Sequence, residues 1–107
     1  MSASSFDQDS VVILEGELDS VVKIFKALAD NTRVRIISIL TTPNRYAVSE
    51  LADILEMDIS RVSHQLTKLE DMGFIKGTRD GRNIYYELQD ECIRTILRNA
   101  KDHVGGK

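Results

Sequence analysis

Cysteine occurs once in the 107 residues, at Cys92, so no disulfide can form within the chain. Nothing else in the sequence points to an oxidising compartment. No apolar run approaches the roughly 20 residues that a membrane-spanning helix requires, and the N-terminal MSASSFDQDS lacks the basic-then-apolar pattern of a secretory signal. A cytoplasmic location is therefore expected. Glycine-rich phosphate loops are missing too. The two histidines are His64 and His103; Ser63 and His64 are adjacent, about 100° apart on a helix, so they cannot act as nucleophile and base. With no second carboxylate or histidine at a useful spacing, an enzyme reading has no support beyond that pair.

An excess of basic charge, the usual footprint of a nucleic-acid binder, is likewise absent, since the formal net charge is -3. Its distribution weakens the objection. Asp7, Asp9, Glu15, Glu17 and Asp19 fall among residues 1 to 20, which hold no Lys or Arg, leaving 14 basic against 12 acidic residues over 21 to 107. At this length one domain is expected, with enough apolar residues for a modest core that pairing with a second copy would complete. Residues 1–16 read as a flexible acidic segment, and 17–107 as the folded domain.

What is present is helical periodicity that gives way to a hairpin. Leu18, Val21, Val22, Phe25 and Leu28 define a first amphipathic helix ending near Ala29. Asp30 or Asn31 caps a second, in which Val34, Ile37, Ile39 and Leu40 are expected inside and Arg33 and Arg35 outside; Pro43 and Asn44 break it. Ser49 to Leu55 makes a short third helix with Leu51, Ile54 and Leu55 inward. Glu56-Met57-Asp58 links it to a longer helix capped by Asp58, striped by Val62, Leu66, Leu69 and Met72, and stopped at Gly73. A short helix, a tight turn and a longer helix form the helix-turn-helix pattern.

Directly after it, Phe74 and Ile75 open a strand, Arg79-Asp80-Gly81-Arg82 supplies an Asp-Gly turn, and Ile84, Tyr85, Tyr86 and Leu88 return. The expected fold is mainly α with a small β-hairpin, a winged helix-turn-helix of about five helices with a two-stranded wing. Ser60, Arg61, Ser63, His64, Gln65, Thr67 and Lys68 on the long helix, with Lys76, Arg79 and Arg82 on the wing, are the candidate contacts to double-stranded DNA. Short polar and cationic side chains suit a helix in the major groove beside a phosphate-straddling finger. A last helix begins at Gln89-Asp90 and carries Ile93, Ile96, Leu97 and Ala100. This stripe and that of the first helix are the expected homodimer surface.

These residues resemble the ArsR/SmtB metal-sensing repressors. The likeness covers roughly Val21 to His103 and is carried by FKALADNTRVRIISIL (Phe25 to Leu40), SELADIL (Ser49 to Leu55), SRVSHQLTKLEDMGFI (Ser60 to Ile75) and GTRDGRNIYYEL (Gly77 to Leu88). It implies a homodimeric winged-helix repressor that binds a palindromic operator and releases it on binding an inducer, usually a metal ion. It also implies that Ser60, Ser63 and His64 reach bases while Arg61 and the wing arginines take the backbone.

The inducer site departs from the family. Where one group carries a cysteine pair early in the third helix, Arg45 to Leu51 reads RYAVSEL, without cysteine. Where another carries Asp-x-His and two later histidines on the last helix, the matching positions are Asp90, Cys92, His103 and Gly106. Cys92 and His103 lie about 16 Å apart along a helix, so Asp90 and Cys92 of one chain would have to meet His103 of another. Such a set suits zinc or cobalt. A thiol or redox signal through Cys92, a lost inducer site, and a winged-helix module that binds protein instead of DNA remain as alternatives.

Overall fold

A computed structural model describes residues 9–106, in which five helices and a three-stranded sheet follow one another. Phe6 and the rest of residues 1–8 lie outside the described residues, and so does Lys107. After exposed chain and a 3-10 turn at Glu15–Glu17 come α1 (Leu18–Leu28), α2 (Asn31–Leu40), β1 (Tyr46–Ala47), α3 (Val48–Leu55) and α4 (Ile59–Asp71). The hairpin β2 (Ile75–Asp80) and β3 (Asn83–Leu88) then leads to α5 (Glu91–Val104).

Local chemistry sets most boundaries. The Asp30 carboxylate accepts from the Arg33 backbone N–H at 2.9 Å and starts α2. Asp58 occupies the N-cap of α4, but its side chain makes no capping bond; only its carbonyl is engaged, accepting from Val62 N–H at 3.1 Å. The far end of α4 closes as a Schellman motif. Gly73 takes φ +80, its N–H donates to Glu70 O at 2.9 Å, and Phe74 N–H reaches back to Leu69 O at 3.1 Å. The same Phe74 carbonyl accepts from Gln89 and Asp90, which roots α5 beside the base of the hairpin.

The core is a helical junction closed by the sheet. Ile36, Ile37 and Leu40 from α2, Leu51 and Leu55 from α3, and Val62, Leu66 and Leu69 from α4 are buried together with Phe74, Ile75 and Ile93. Each such side chain contributes about 1.5–3 kcal/mol relative to exposure.

Five expected side-chain placements change, four of them for one angular reason. On α2 the buried arc is Ile36, Ile37 and Leu40, and at about 100° per residue Arg33 falls inside that arc while Val34 and Ile39 lie at its edges. Arg33 is accordingly half-buried, and Val34 and Ile39 only partly covered. On α3 the buried residues are Leu51, Ala52 and Leu55, which leaves Ile54 50% exposed. Met72 lies past the end of α4 and is also exposed.

The sheet has a strand that periodicity did not disclose. β1, two residues long, pairs antiparallel with β3 (Tyr46 with Tyr86, Ala47 with Tyr85), giving the order β1-β3-β2. The hairpin turn also sits one residue later than the Asp-Gly reading. Asp80 pairs with Asn83, so the two-residue loop is Gly81-Arg82 with Gly81 at φ +66, the glycine-first pattern of a type II′ turn.

The turn between α3 and α4 stores strain at Glu56, which holds left-handed φ 55, ψ 50 with its side chain exposed. Glu56→Gly is expected to stabilise the fold by about 0.5 kcal/mol, the left-handed penalty less the greater entropy of a free glycine. Urea unfolding checks this: the midpoint should rise at unchanged slope, and an unchanged or lower midpoint would show that Glu56 makes a compensating interaction.

Candidate nucleic-acid interface

Burying Val62, Leu66 and Leu69 dictates what α4 shows to solvent. Ser60, Ser63, His64 and Thr67 fall within an arc of about 100° centred opposite that stripe, with Arg61 and Lys68 on its flank. All six are exposed. Gln65 is different. It borders the buried stripe, is half-buried, and its Oε1 accepts from Arg33 Nε at 2.8 Å; Arg33 also donates to the Ala27 carbonyl at 3.3 Å. Arg33 thereby ties the end of α1 to α4, and Gln65 is turned toward α2.

At the start of α4, beside that arc, stands an exposed residue that polarity alone passes over. Ile59, at the first position of α4, is 54% exposed. An exposed isoleucine beside Ser63 offers apolar surface of the kind that meets a thymine methyl. By spacing Ile59 continues the Val62–Leu66–Leu69 stripe and would be read as buried; its place in the first turn of α4, at the end of the packed stretch, leaves it exposed.

The wing is held at its base by α4. Glu70 Oε2 accepts from Gly77 N–H at 3.1 Å. A Cβ at Gly77 would meet Tyr86 Cε1 at 2.9 Å and Ile84 Cγ2 at 3.0 Å, so the β3 side chains lie over Gly77 and would have to shift to admit a larger residue. Tyr86 is half-buried, and its phenol is raised above the ordinary 10.0, first by burial and second by the Glu70 carboxylate. Lys76, at the base side of this clamp, and Arg79 and Arg82, beyond it, are exposed, with Arg82 in the turn itself. The structure therefore brings the polar arc of α4 and a cationic hairpin into one continuous segment, joined through Gly73 and Glu70.

On α5, Asp90 serves as N-cap: its Oδ1 accepts from Cys92 N–H at 2.9 Å. Cys92 is exposed and free, and His103 is exposed in the last turn. The structure thus places Asp90 with Cys92 and keeps His103 about 16 Å away along the helix. Among the described residues no group of three or more His, Cys, Asp or Glu side chains gathers within one chain in a way that would hold a metal ion. A groove of about 920 Å³ runs between α1, α2 and α5, lined by Phe25, Val34, Ile96 and Leu97 among others. No helix among the described residues is long and apolar enough to cross a membrane.

Residues 30–76 match the family described as "Bacterial regulatory protein, arsR family". The chain is 36% identical over 83 residues to a cadmium resistance transcriptional regulatory protein CadC homolog of Staphylococcus aureus, covering 78% of this chain and 69% of that one. It is 35% identical over 97 residues to a transcriptional repressor SmtB homolog of Synechocystis sp., covering 91% and 72%. Among solved structures, the AntR antimony-specific transcriptional repressor superposes with a TM-score of 0.82 at 32% identity, covering 92% of this chain and 89% of that one.

The clamp between Glu70 and the wing makes a pH prediction. Glu70→Gln should lower the Tyr86 pKa yet leave it above 10.0, because burial is the larger cause. A phenol raised in the folded state keeps its proton longer than in the unfolded chain. Its contribution to stability is therefore whole below the unfolded value and is lost as pH rises through the folded one. Phenolate absorbance during an alkaline titration reads the pKa directly, and no change in the variant would mean that Glu70 does not act on Tyr86.

Proposed function

The chain belongs to the ArsR family of bacterial regulatory proteins and is a DNA-binding transcriptional repressor of that type; from that premise we propose that it grips a palindromic operator as a twofold dimer, with the exposed arc of α4 on the bases and the wing on the backbone. The observation that carries this reading is the continuity of the exposed set. Ser60, Ser63, His64 and Thr67 stand in the groove, and Arg61, Lys68, Lys76, Arg79 and Arg82 meet phosphates. Gln65 contributes by fixing α4 through Arg33 and not by contacting DNA.

Dimerisation through α1 and α5 is supported by what the single chain leaves uncovered. α1 buries Ala27 and packs Ile24 and Leu28 on the core, while Leu18, Val22 and Phe25 on its other side stay exposed, Phe25 at 58%. α5 anchors Ile93 in the core but carries its stripe onward to Val104, which is 86% exposed. The radius of gyration, 16.2 Å, exceeds the about 13 Å of a compact chain of this length, as expected of half an assembly. A cation surplus this small in one protomer also calls for two copies to hold DNA.

A metal ion is the inducer this reading favours, because the relatives at 35–36% identity are a cadmium resistance regulator and an SmtB homolog. The donors of this chain fit such an ion if two antiparallel α5 helices cross. Asp90 has one oxygen engaged by Cys92 N–H and one left, Cys92 supplies a thiolate, and His103 of the second copy supplies an imidazole. Carboxylate, thiolate and imidazole suit zinc or cobalt, with a fourth position left open. A thiol signal through the exposed Cys92 is the alternative on the same residue.

Electrophoretic shift of the DNA upstream of its own gene tests the first part. Affinity should fall steeply with salt, protection should cover two half-sites about 34–36 Å apart, and each of Arg79→Ala and Arg82→Ala should lower the salt slope by about one per protomer. His64→Ala should cost about 1–3 kcal/mol and relax sequence preference. Binding that ignores salt and sequence would sink the reading. For the inducer, Cys92→Ser should bind the same DNA nearly as well but no longer release it with zinc; equal release from both proteins would move the site elsewhere.

A further inference from the structure

Arg45 follows α2 and precedes β1, and nothing in the periodicity of that region marks it. In the structure its Nη2 lies 2.7 Å from Asp80 Oδ2, and its guanidinium sits 4.5 Å from the centre of the Tyr85 ring. The strand order β1-β3-β2 puts β3, with Tyr85, between Arg45 and Asp80. Arg45 stands just before β1, whose Ala47 pairs with Tyr85, and its side chain reaches diagonally over the Tyr85 ring to Asp80, the last residue of β2. Asp80 is the one carboxylate at the hairpin tip, between Arg79 and the turn residue Arg82.

An exposed ion pair of this kind adds little to stability: the two side chains are 45% and 61% exposed, a setting in which such pairs are worth about 0–1 kcal/mol. Its consequence is electrostatic and lies at the tip. A bare carboxylate between two arginines would oppose the phosphates those arginines are placed to meet. The planar guanidinium suits the position better than an ammonium would, because it stacks on Tyr85 and bonds the carboxylate at once.

We propose that Arg45 is a positioning residue for DNA binding, which masks Asp80 from across the sheet and so leaves Arg79 and Arg82 as the net charge of the wing. Arg45 does this without itself contacting DNA. The inference rests on the DNA-binding reading of the wing given above. It predicts that removing Arg45 is harmful only while Asp80 keeps its charge.

The test compares the wild type, Arg45→Ala, Asp80→Asn, the double variant and Arg45→Lys, on duplex from the upstream region and on a scrambled duplex, across a salt series. Arg45→Ala should weaken binding to both duplexes by about tenfold at low salt, with the deficit shrinking as salt rises. Asp80→Asn should bind as well as the wild type or better, and the double variant should return to within about twofold of the wild type. Arg45→Lys should fall between, since charge is kept and the stack weakened. Thermal melts of each variant accompany the binding data. A double variant as weak as Arg45→Ala means that Arg45 touches DNA itself or only supports the fold, and overturns the inference alone. Asp80→Asn weakening binding by more than about threefold overturns it as well, even if Arg45→Ala proves too unstable to measure. A wild type that binds neither duplex at low salt removes both the inference and the function on which it rests.

Discussion

Burial of Val62, Leu66 and Leu69 is the constraint on which the remaining structure depends. These three side chains seat α4 on α2, α3 and the root of the hairpin, and the seat fixes the rotation of the helix about its axis. Once that rotation is set, Ser60, Ser63, His64 and Thr67 have nowhere to point except away from the core. Arg33 adds a polar pin to the apolar one. Its bonds to Gln65 and to the Ala27 carbonyl mean that α4 cannot turn without disturbing the end of α1. The helix proposed to meet DNA and the helix proposed to meet the second copy are thus joined by one side chain.

The wing gains its stance from two carboxylates used in opposite ways. Glu70, on α4, accepts the Gly77 N–H and holds the base of the hairpin against the helix it follows. Asp80, at the tip, is itself held by Arg45, the residue just before β1. An isolated two-stranded hairpin is marginal in water. Anchored at the base by α4 and widened by β1 on one edge, this one becomes an extension of the core, with Arg79 and Arg82 at its free end.

A single chain leaves α1 and α5 unfinished. α1 is apolar over more of its circumference than the core covers, α5 carries its stripe along its length beyond the core, and the groove between them is open to solvent. In α5 the same length that carries the stripe out to Val104 separates Cys92 from His103. A second copy would therefore settle two matters at once: the covering of apolar surface and the meeting of ligands that one chain holds apart.

The sequence by itself determined the order of elements, because helical spacing, the Asp30 and Asp90 caps, Gly73 and the cluster around Gly81 are local signals that act within a few residues. It also determined the exposed set on α4, since a stripe at three- and four-residue spacing names its own opposite face. Only the tertiary structure decided which face of α2 is inside, placing Arg33 in the core arc and Val34 at its edge, because ten residues of mixed polarity admit more than one rotation until neighbours are in place. It alone supplied β1, whose two residues have no period to read, and it alone brought Arg45 to Asp80 across 35 positions. Such contacts arise from the path of the backbone through a sheet, and no local pattern encodes them.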